Sequence, residues 1–142
     1  MKRDELLKNV VDVMEESANR NSLDRLISTC EESVLYLLEK AGGSTNPKYL
    51  SEKLDVTMPR VTMILNGMES KELVTREISA EDRRKVEVTI TKKGRSVIRK
   101  RRKNLTEYVD RVTSDMDEAE IETVLKFITK ADQIRKRNDT AR

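Results

Sequence analysis

Leu, Ile, Val and Met recur along this chain mainly at helical spacing, and the rhythm changes to strand-like alternation only once, between residues 73 and 90. Leu6, Leu7, Val10, Val13, Met14 and Ser17 follow the intervals of an amphipathic helix over residues 4–20. Arg20-Asn21-Ser22 breaks or bends it, and Leu23, Leu26 and Ile27 continue a helical pattern. Ser28-Thr29-Cys30-Glu31 has the form of a capping box. The helix that follows turns Val34, Leu35, Leu37, Leu38 and Ala41 inward and stops at Gly42-Gly43, where the missing Cβ permits a left-handed turn. Asn46-Pro47 opens the next helix, since Asn accepts from free amides and Pro has none to leave unpaired. Leu50 and Leu54 form its inner face, and Asp55 takes the left-handed turn position before Val56. Thr57 caps another helix, with Pro59 in its first turn and Val61, Ile64, Leu65 and Met68 as one buried stripe.

Residues 73–78 then read as a strand, 79–84 as a charged turn, and 85–90 as a second strand alternating charged with apolar residues. Thr91 caps a further helix with Gly94 in its first turn and a stripe of Val97, Ile98, Leu105, Tyr108 or Val109, and Val112. Ser114 or Asp115 begins a last helix, with Ile121, Val124, Leu125, Ile128, Ala131 and Ile134 inward and a frayed tail from Asn138. Acids in its first turns and bases in its last complement the helix dipole. The fold class is mainly α with a small β-hairpin wing, and residues 50–91 have the outline of a winged helix-turn-helix. The chain reads as a single domain, 1–142, with 31–103 as the core. Residues 1–30 and 104–142 carry long stripes with little to pack on in a small domain, and are assigned as dimerisation helices.

Composition narrows the function. The 142 residues are 39% charged and 3% aromatic, against ~25% charged in an ordinary globular domain. The net charge is +3, but residues 56–103 hold 14 Lys/Arg against 6 Asp/Glu. A basic middle between acidic flanks points to a polyanion partner. The alternatives are a solvated basic face, or a helical interaction module that binds an acidic protein. There is no His and only one Cys, which removes the usual zinc ligand sets and the Ser–His and Cys–His pairs. No glycine-rich phosphate loop occurs, so an enzyme is disfavoured and neither metal nor cofactor is expected. The opening MKRDELLKNV lacks the apolar run of a signal peptide, and nowhere do ~18 apolar residues run together. With a lone cysteine, a reducing, cytoplasmic setting is expected.

The helix after Thr57 carries the candidate chemistry. Opposite its apolar stripe lie Pro59, Thr62, Met63, Asn66 and Ser70, with Arg60 on the flank, and no acid. Hydroxyl, amide and thioether groups suit base-edge hydrogen bonds and a thymine methyl. Arg83, Arg84 and Lys85 lie at the hairpin tip, where Asp82 is expected to order an arginine by a bidentate pair, and an arginine on a rigid tip suits a narrow minor groove. Lys48 or Ser51, together with Lys92, Lys93 and Arg95, are candidate phosphate contacts; basic residues further along that helix are expected to pair with acids of the first helix or of a partner. Cys30, at a helix start, is a candidate redox thiol, with a half-buried inert side chain as the alternative.

These residues resemble the MarR family of transcriptional regulators. Leu50-Ser51-x-x-Leu54-x-Val56-Thr57 is similar to the family's first motif helix and turn, and Val61-Thr62-x-x-Leu65 with Met68-Glu69 to its recognition helix. Leu73-Val74-x-Arg76, Asp82-Arg83-Arg84 and Val88-x-Ile90-Thr91-x-x-Gly94 resemble its wing and the helix after it. Asp55 and Glu72 stand where the family commonly has glycine, and Met63 where it often has arginine. The resemblance implies a homodimer that binds double-stranded, pseudo-palindromic DNA, usually as a repressor, with release by a small aromatic or anionic effector or through an oxidised cysteine.

Overall fold

A computed structural model describes residues 2–18 and 30–140. The elements are α1 (Arg3–Ala18), α2 (Cys30–Lys40), β1 (Ser44–Thr45), α3 (Pro47–Leu54), α4 (Met58–Ser70), β2 (Val74–Ile78), β3 (Val86–Ile90), α5 (Lys92–Val112) and α6 (Glu118–Thr140). The predicted break at residues 20–22, its continuation through Leu23, Leu26 and Ile27, and the capping serine Ser28 lie outside the described residues. The chain divides into two compact units, one of residues 1–18 and 101–142 and the other of residues 19–100.

The second unit is built around α2. Its residues 33–38 are buried in an unbroken run, so this helix is enclosed on all sides rather than striped. Ala41, predicted inward, is exposed because the helix has already ended there. The end is a Schellman motif: Gly43 N–H donates to Leu38 O at 2.8 Å and Gly42 N–H to Glu39 O at 3.2 Å. The chain leaves it as β1, a two-residue strand that makes a third member of the sheet in the order β1-β3-β2. Strand signals need several residues of alternation, which explains why the sequence predicts the hairpin alone. The β2–β3 pair is antiparallel, with Arg76 opposite Val88. Leu50, Leu54, Val61, Leu65, Met68, Val74, Val88 and Ile98 close on α2 as one core.

Gly94 joins the start of α5 to this core. A Cβ there would stand 2.4 Å from Leu73 O and 3.0 Å from a Leu35 methyl. The Thr91 hydroxyl accepts from Gly94 N–H at 3.0 Å and donates to Glu72 O at 2.6 Å. One Thr-x-x-Gly thus starts the helix and pins it to the end of the preceding one.

In the first unit α1 packs along α6. Leu6, Val10 and Val11 are buried with Val109 and Ile121. The expectation that the first helix has little to pack on is therefore corrected: one face of it is covered within the chain. Val109, not Tyr108, takes the inward place on α5. Arg102 bonds Asp12 at 2.7 Å and the buried Glu15 at 3.2 Å, as expected of a basic residue in this part of α5. The hydrogen bond to Asp12, opposed by burial and aided by the field of Glu15, raises the guanidinium pKa above its ordinary value. Lys136 bridges Glu16 and Asp132. α6 begins three residues or more later than predicted, because the working cap is Asp117: its Oδ1 accepts from Glu120 N–H at 2.8 Å while Glu120 Oε1 accepts from Asp117 N–H at 3.3 Å. The helix runs to Thr140, through the predicted tail.

Candidate nucleic-acid interface

The site lies within the second unit, and its local geometry follows from side-chain caps. Asn46 Oδ1 accepts from Tyr49 N–H at 2.8 Å and starts α3. Asp55, at φ 54, takes the left-handed turn expected of it, and the Ser51 hydroxyl donates to Val56 O at 2.6 Å across that turn. Thr57 then accepts from Arg60 N–H at 3.3 Å and starts α4.

Val61, Leu65 and Met68 are buried on α4 and Ile64 is half-buried. That anchoring sets the opposite face: Pro59, Arg60, Thr62, Met63 and Asn66 are all exposed, Met63 by 70%. The face carries no acid. Glu69, on its edge, is held by Arg76 of β2 at 2.8 Å. Thr62 donates its hydroxyl proton to Met58 O at 3.1 Å, which leaves its lone pairs outward as acceptors. Arg60 makes no ion pair among the described residues and is a free cation at the edge of an otherwise neutral surface.

The wing tip is ordered by backbone turns. Ser79 N–H donates to Lys85 O at 2.8 Å, Lys85 N–H to Asp82 O at 2.9 Å, and Arg84 N–H to Asp82 Oδ1 at 3.0 Å. The Arg84 side chain approaches the same Asp82 oxygen only through Nε, at 3.5 Å, and is 94% exposed. The predicted bidentate pair is not formed. Asp82 shapes the turn by accepting from the backbone, which leaves the Arg84 guanidinium, with Arg83 and Lys85, directed to solvent.

The candidate phosphate contacts separate. Lys48, Lys92 and Lys93 are exposed. Ser51 has committed its proton to Val56, so of that pair only Lys48 keeps a side-chain donor directed to solvent. Arg95 is half-buried, 3.9 Å from Glu39 and close against Gly43, and is engaged by α2. Cys30 is the first residue of α2 and half-buried. No set of residues among those described could hold a metal ion, and no described helix is long and apolar enough to cross a membrane.

A stabilised recognition helix, a capped turn before it and an antiparallel wing after it define a winged helix-turn-helix. The MarR family profile matches residues 33–85. The HTH-type transcriptional regulator YpoP of Bacillus subtilis is 30% identical over 116 residues, which are 80% of this chain and 79% of that one. FabT of Streptococcus pneumoniae, solved in complex with DNA, superposes with a TM-score of 0.68 at 32% identity, covering 94% of this chain and 92% of that one. The transcriptional regulator Tm0710 of Thermotoga maritima superposes with a TM-score of 0.61 at 25% identity, covering 96% of both. The chain belongs to the MarR family, a family of transcriptional regulators rather than enzymes.

The residue that sequence reasoning missed is Arg76. Its guanidinium bonds both Glu69 and the Asn66 side-chain oxygen. The signal was present: Arg76 shares the inward strand parity of the buried Val74, an unusual place for a charge.

Proposed function

We propose that the protein is a cytoplasmic, homodimeric repressor that binds a pseudo-palindromic DNA operator. The observation that carries this reading is the exposed, acid-free face of α4, held outward by the buried stripe behind it. Pro59, Arg60, Thr62, Met63 and Asn66 read the major groove; Arg83, Arg84 and Lys85, shaped by Asp82, address the minor groove beside it; Lys48, Lys92 and Lys93 contact phosphates, with Arg95 behind them. The DNA complex of FabT supports the choice of partner. Two symmetric recognition helices use one face of B-DNA when set ~34–36 Å apart.

A second copy of the chain is supported by the first unit. Val124, Phe127, Ala131 and Ile134 follow helical spacing on α6, yet Val124, Phe127 and Ile134 are exposed, Phe127 by 73%, as are Tyr108 and Val112 on α5. Release by a small aromatic or anionic effector completes the proposal on the strength of the family. Anisotropy titrations with DNA from upstream of the protein's own gene test it. Saturable, sequence-dependent binding that survives ~150 mM salt is expected; binding lost equally from all sequences at that salt indicates non-specific contact only.

A further inference from the structure

Asn66 is an ambiguous reader of DNA. Its amide has an acceptor end and a donor end, and which end meets a base depends on a rotation that usually has little to hold it. Here the ambiguity is removed. The Arg76 guanidinium donates through Nη2 to Asn66 Oδ1 and through Nε to Glu69 Oε2. Arginine has no acceptor, so a turned amide would aim its NH2 at a cation and lose the bond. Glu69 holds Arg76 at 2.8 Å from the same helix, one turn on from Asn66, and Arg76 itself is set by β2 pairing opposite Val88. The Arg76 side chain is 24% exposed, so it acts mostly from behind the surface that Asn66 presents.

We propose that Arg76 is a positioning residue for sequence readout, turning Asn66 so that only its NH2 group faces the operator. This rests on the reading of α4 as the groove-facing helix. Asparagine recognises adenine by using both ends of the amide, accepting from N6 and donating to N7. With Oδ1 engaged by a guanidinium, the outward group is a donor. It suits an edge made of acceptors: O6 and N7 of guanine best, O4 of thymine next. The half-site position under Asn66 therefore prefers guanine over adenine, contrary to the usual pairing of the residue.

The test is a single-base substitution scan of the bound operator, read as relative dissociation constants at fixed salt. Asn66→Ala identifies the position, as the one whose preference it erases. At that position the wild type is expected to favour guanine over adenine. Arg76→Met frees Oδ1 and shifts the ratio toward adenine by at least about fivefold, the lower end of one base contact. Arg76→Lys, still a pure donor, retains the wild-type preference, which a merely structural role would not require. Asn66→Asp, whose two oxygens both accept, is expected to move the preference toward cytosine, whose N4 donates; if Arg76→Met fails to fold, the wild-type preference between guanine and adenine decides the matter. Adenine preference in the wild type, or identical profiles for wild type and Arg76→Met, overturns the proposal and leaves the operator reading standing. Loss of sequence-specific binding by the wild type itself overturns both.

Discussion

Among the described residues, fifteen apolar side chains are buried in one cluster in the winged unit, whereas five are buried on the terminal helices. The exposed apolar residues also differ in kind. On the winged unit Met58, Met63, Ile78 and Val97 stand apart from one another in no helical stripe. On the terminal helices Val124, Phe127 and Ile134 recur every three to seven residues, with Tyr108 and Val112 on α5. Scattered apolar residues are ordinary at a surface. A periodic stripe has the pattern of a helix face that buries itself against another helix. Among the described residues the apolar stripes of the winged unit are thus covered, while the terminal unit has used one stripe of α6 on α1 and left Val124, Phe127 and Ile134 exposed.

The largest test of this difference falls on the closed side. Gly94→Ala forces a methyl to within 2.4 Å of Leu73 O, and backbone cannot yield as a flexible side chain does. A loss of about 3 kcal/mol in unfolding free energy is expected, read by denaturant titration, and the same at low and high protein concentration. A loss that vanishes at high concentration would mean that the winged unit too depends on association. On the open side, Phe127→Ala is expected to raise the dimer dissociation constant by roughly thirtyfold, about 2 kcal/mol for one aromatic anchor. Sedimentation equilibrium reads it, and an unchanged constant removes the α6 stripe from the subunit interface.

What was legible in the sequence separates along the same line. Asn46, Asp55 and Thr57 act on neighbours within a few residues, as Thr91 does in capping Gly94 N–H, so these roles could be read from spacing alone, whereas the hold of Thr91 on Glu72 and of Gly94 on Leu73 and Leu35 could not. The stripe of α4 was equally plain, since Val61, Leu65 and Met68 answer to one helical period. What escaped was long-range or divided. α1 finds its partner in α6, more than a hundred residues away, and no local pattern announces it. The stripe of α6 reads as one face from sequence, but Ile121 turns to α1 while Val124 and Ile134 remain outside. The start of α6 was misplaced because Ser114 and Asp115 are as good caps in composition as Asp117; only the reciprocal bond with Glu120 distinguishes them. On α4, which side chains point outward was readable, but the bond that holds Asn66 was not, because Arg76 belongs to another element.

A smaller effect tests the wing. With Asp82 shaping the turn through the backbone and Arg84 almost wholly exposed, Arg84→Ala leaves the fold unchanged within ~0.5 kcal/mol. Its expected cost is in DNA: a weaker complex whose log–log salt slope is shallower by about 0.9 for each phosphate that the arginine neutralises in the wild type. An unchanged slope would take Arg84 out of the interface. A matching loss of thermal stability would instead make the arginine part of the hairpin.

The smallest effect concerns two helix ends that close the same way with different residues. α4 ends as α2 does: Leu73 N–H donates to Met68 O at 2.9 Å and Glu72 N–H to Glu69 O at 3.0 Å, the pattern that Gly43 and Gly42 make with Leu38 and Glu39. The left-handed position is Gly42 in one, at φ 87, and Glu72 in the other, at φ 62. A Cβ in this region presses on its own backbone at a cost of roughly 1–2 kcal/mol, part of which glycine returns through its freer unfolded chain. Glu72→Gly is therefore expected to stabilise the winged unit by up to about 1 kcal/mol, and Gly42→Ala, which meets no atom within 4 Å, to destabilise it by a similar amount. The glutamate also keeps its carbonyl on Thr91 at 2.6 Å, a bond that glycine preserves, so a gain would isolate backbone strain from side-chain interactions. If Glu72→Gly instead destabilises, the end of the recognition helix draws more from the glutamate side chain than its left-handed backbone costs, and the parallel between the two helix ends fails.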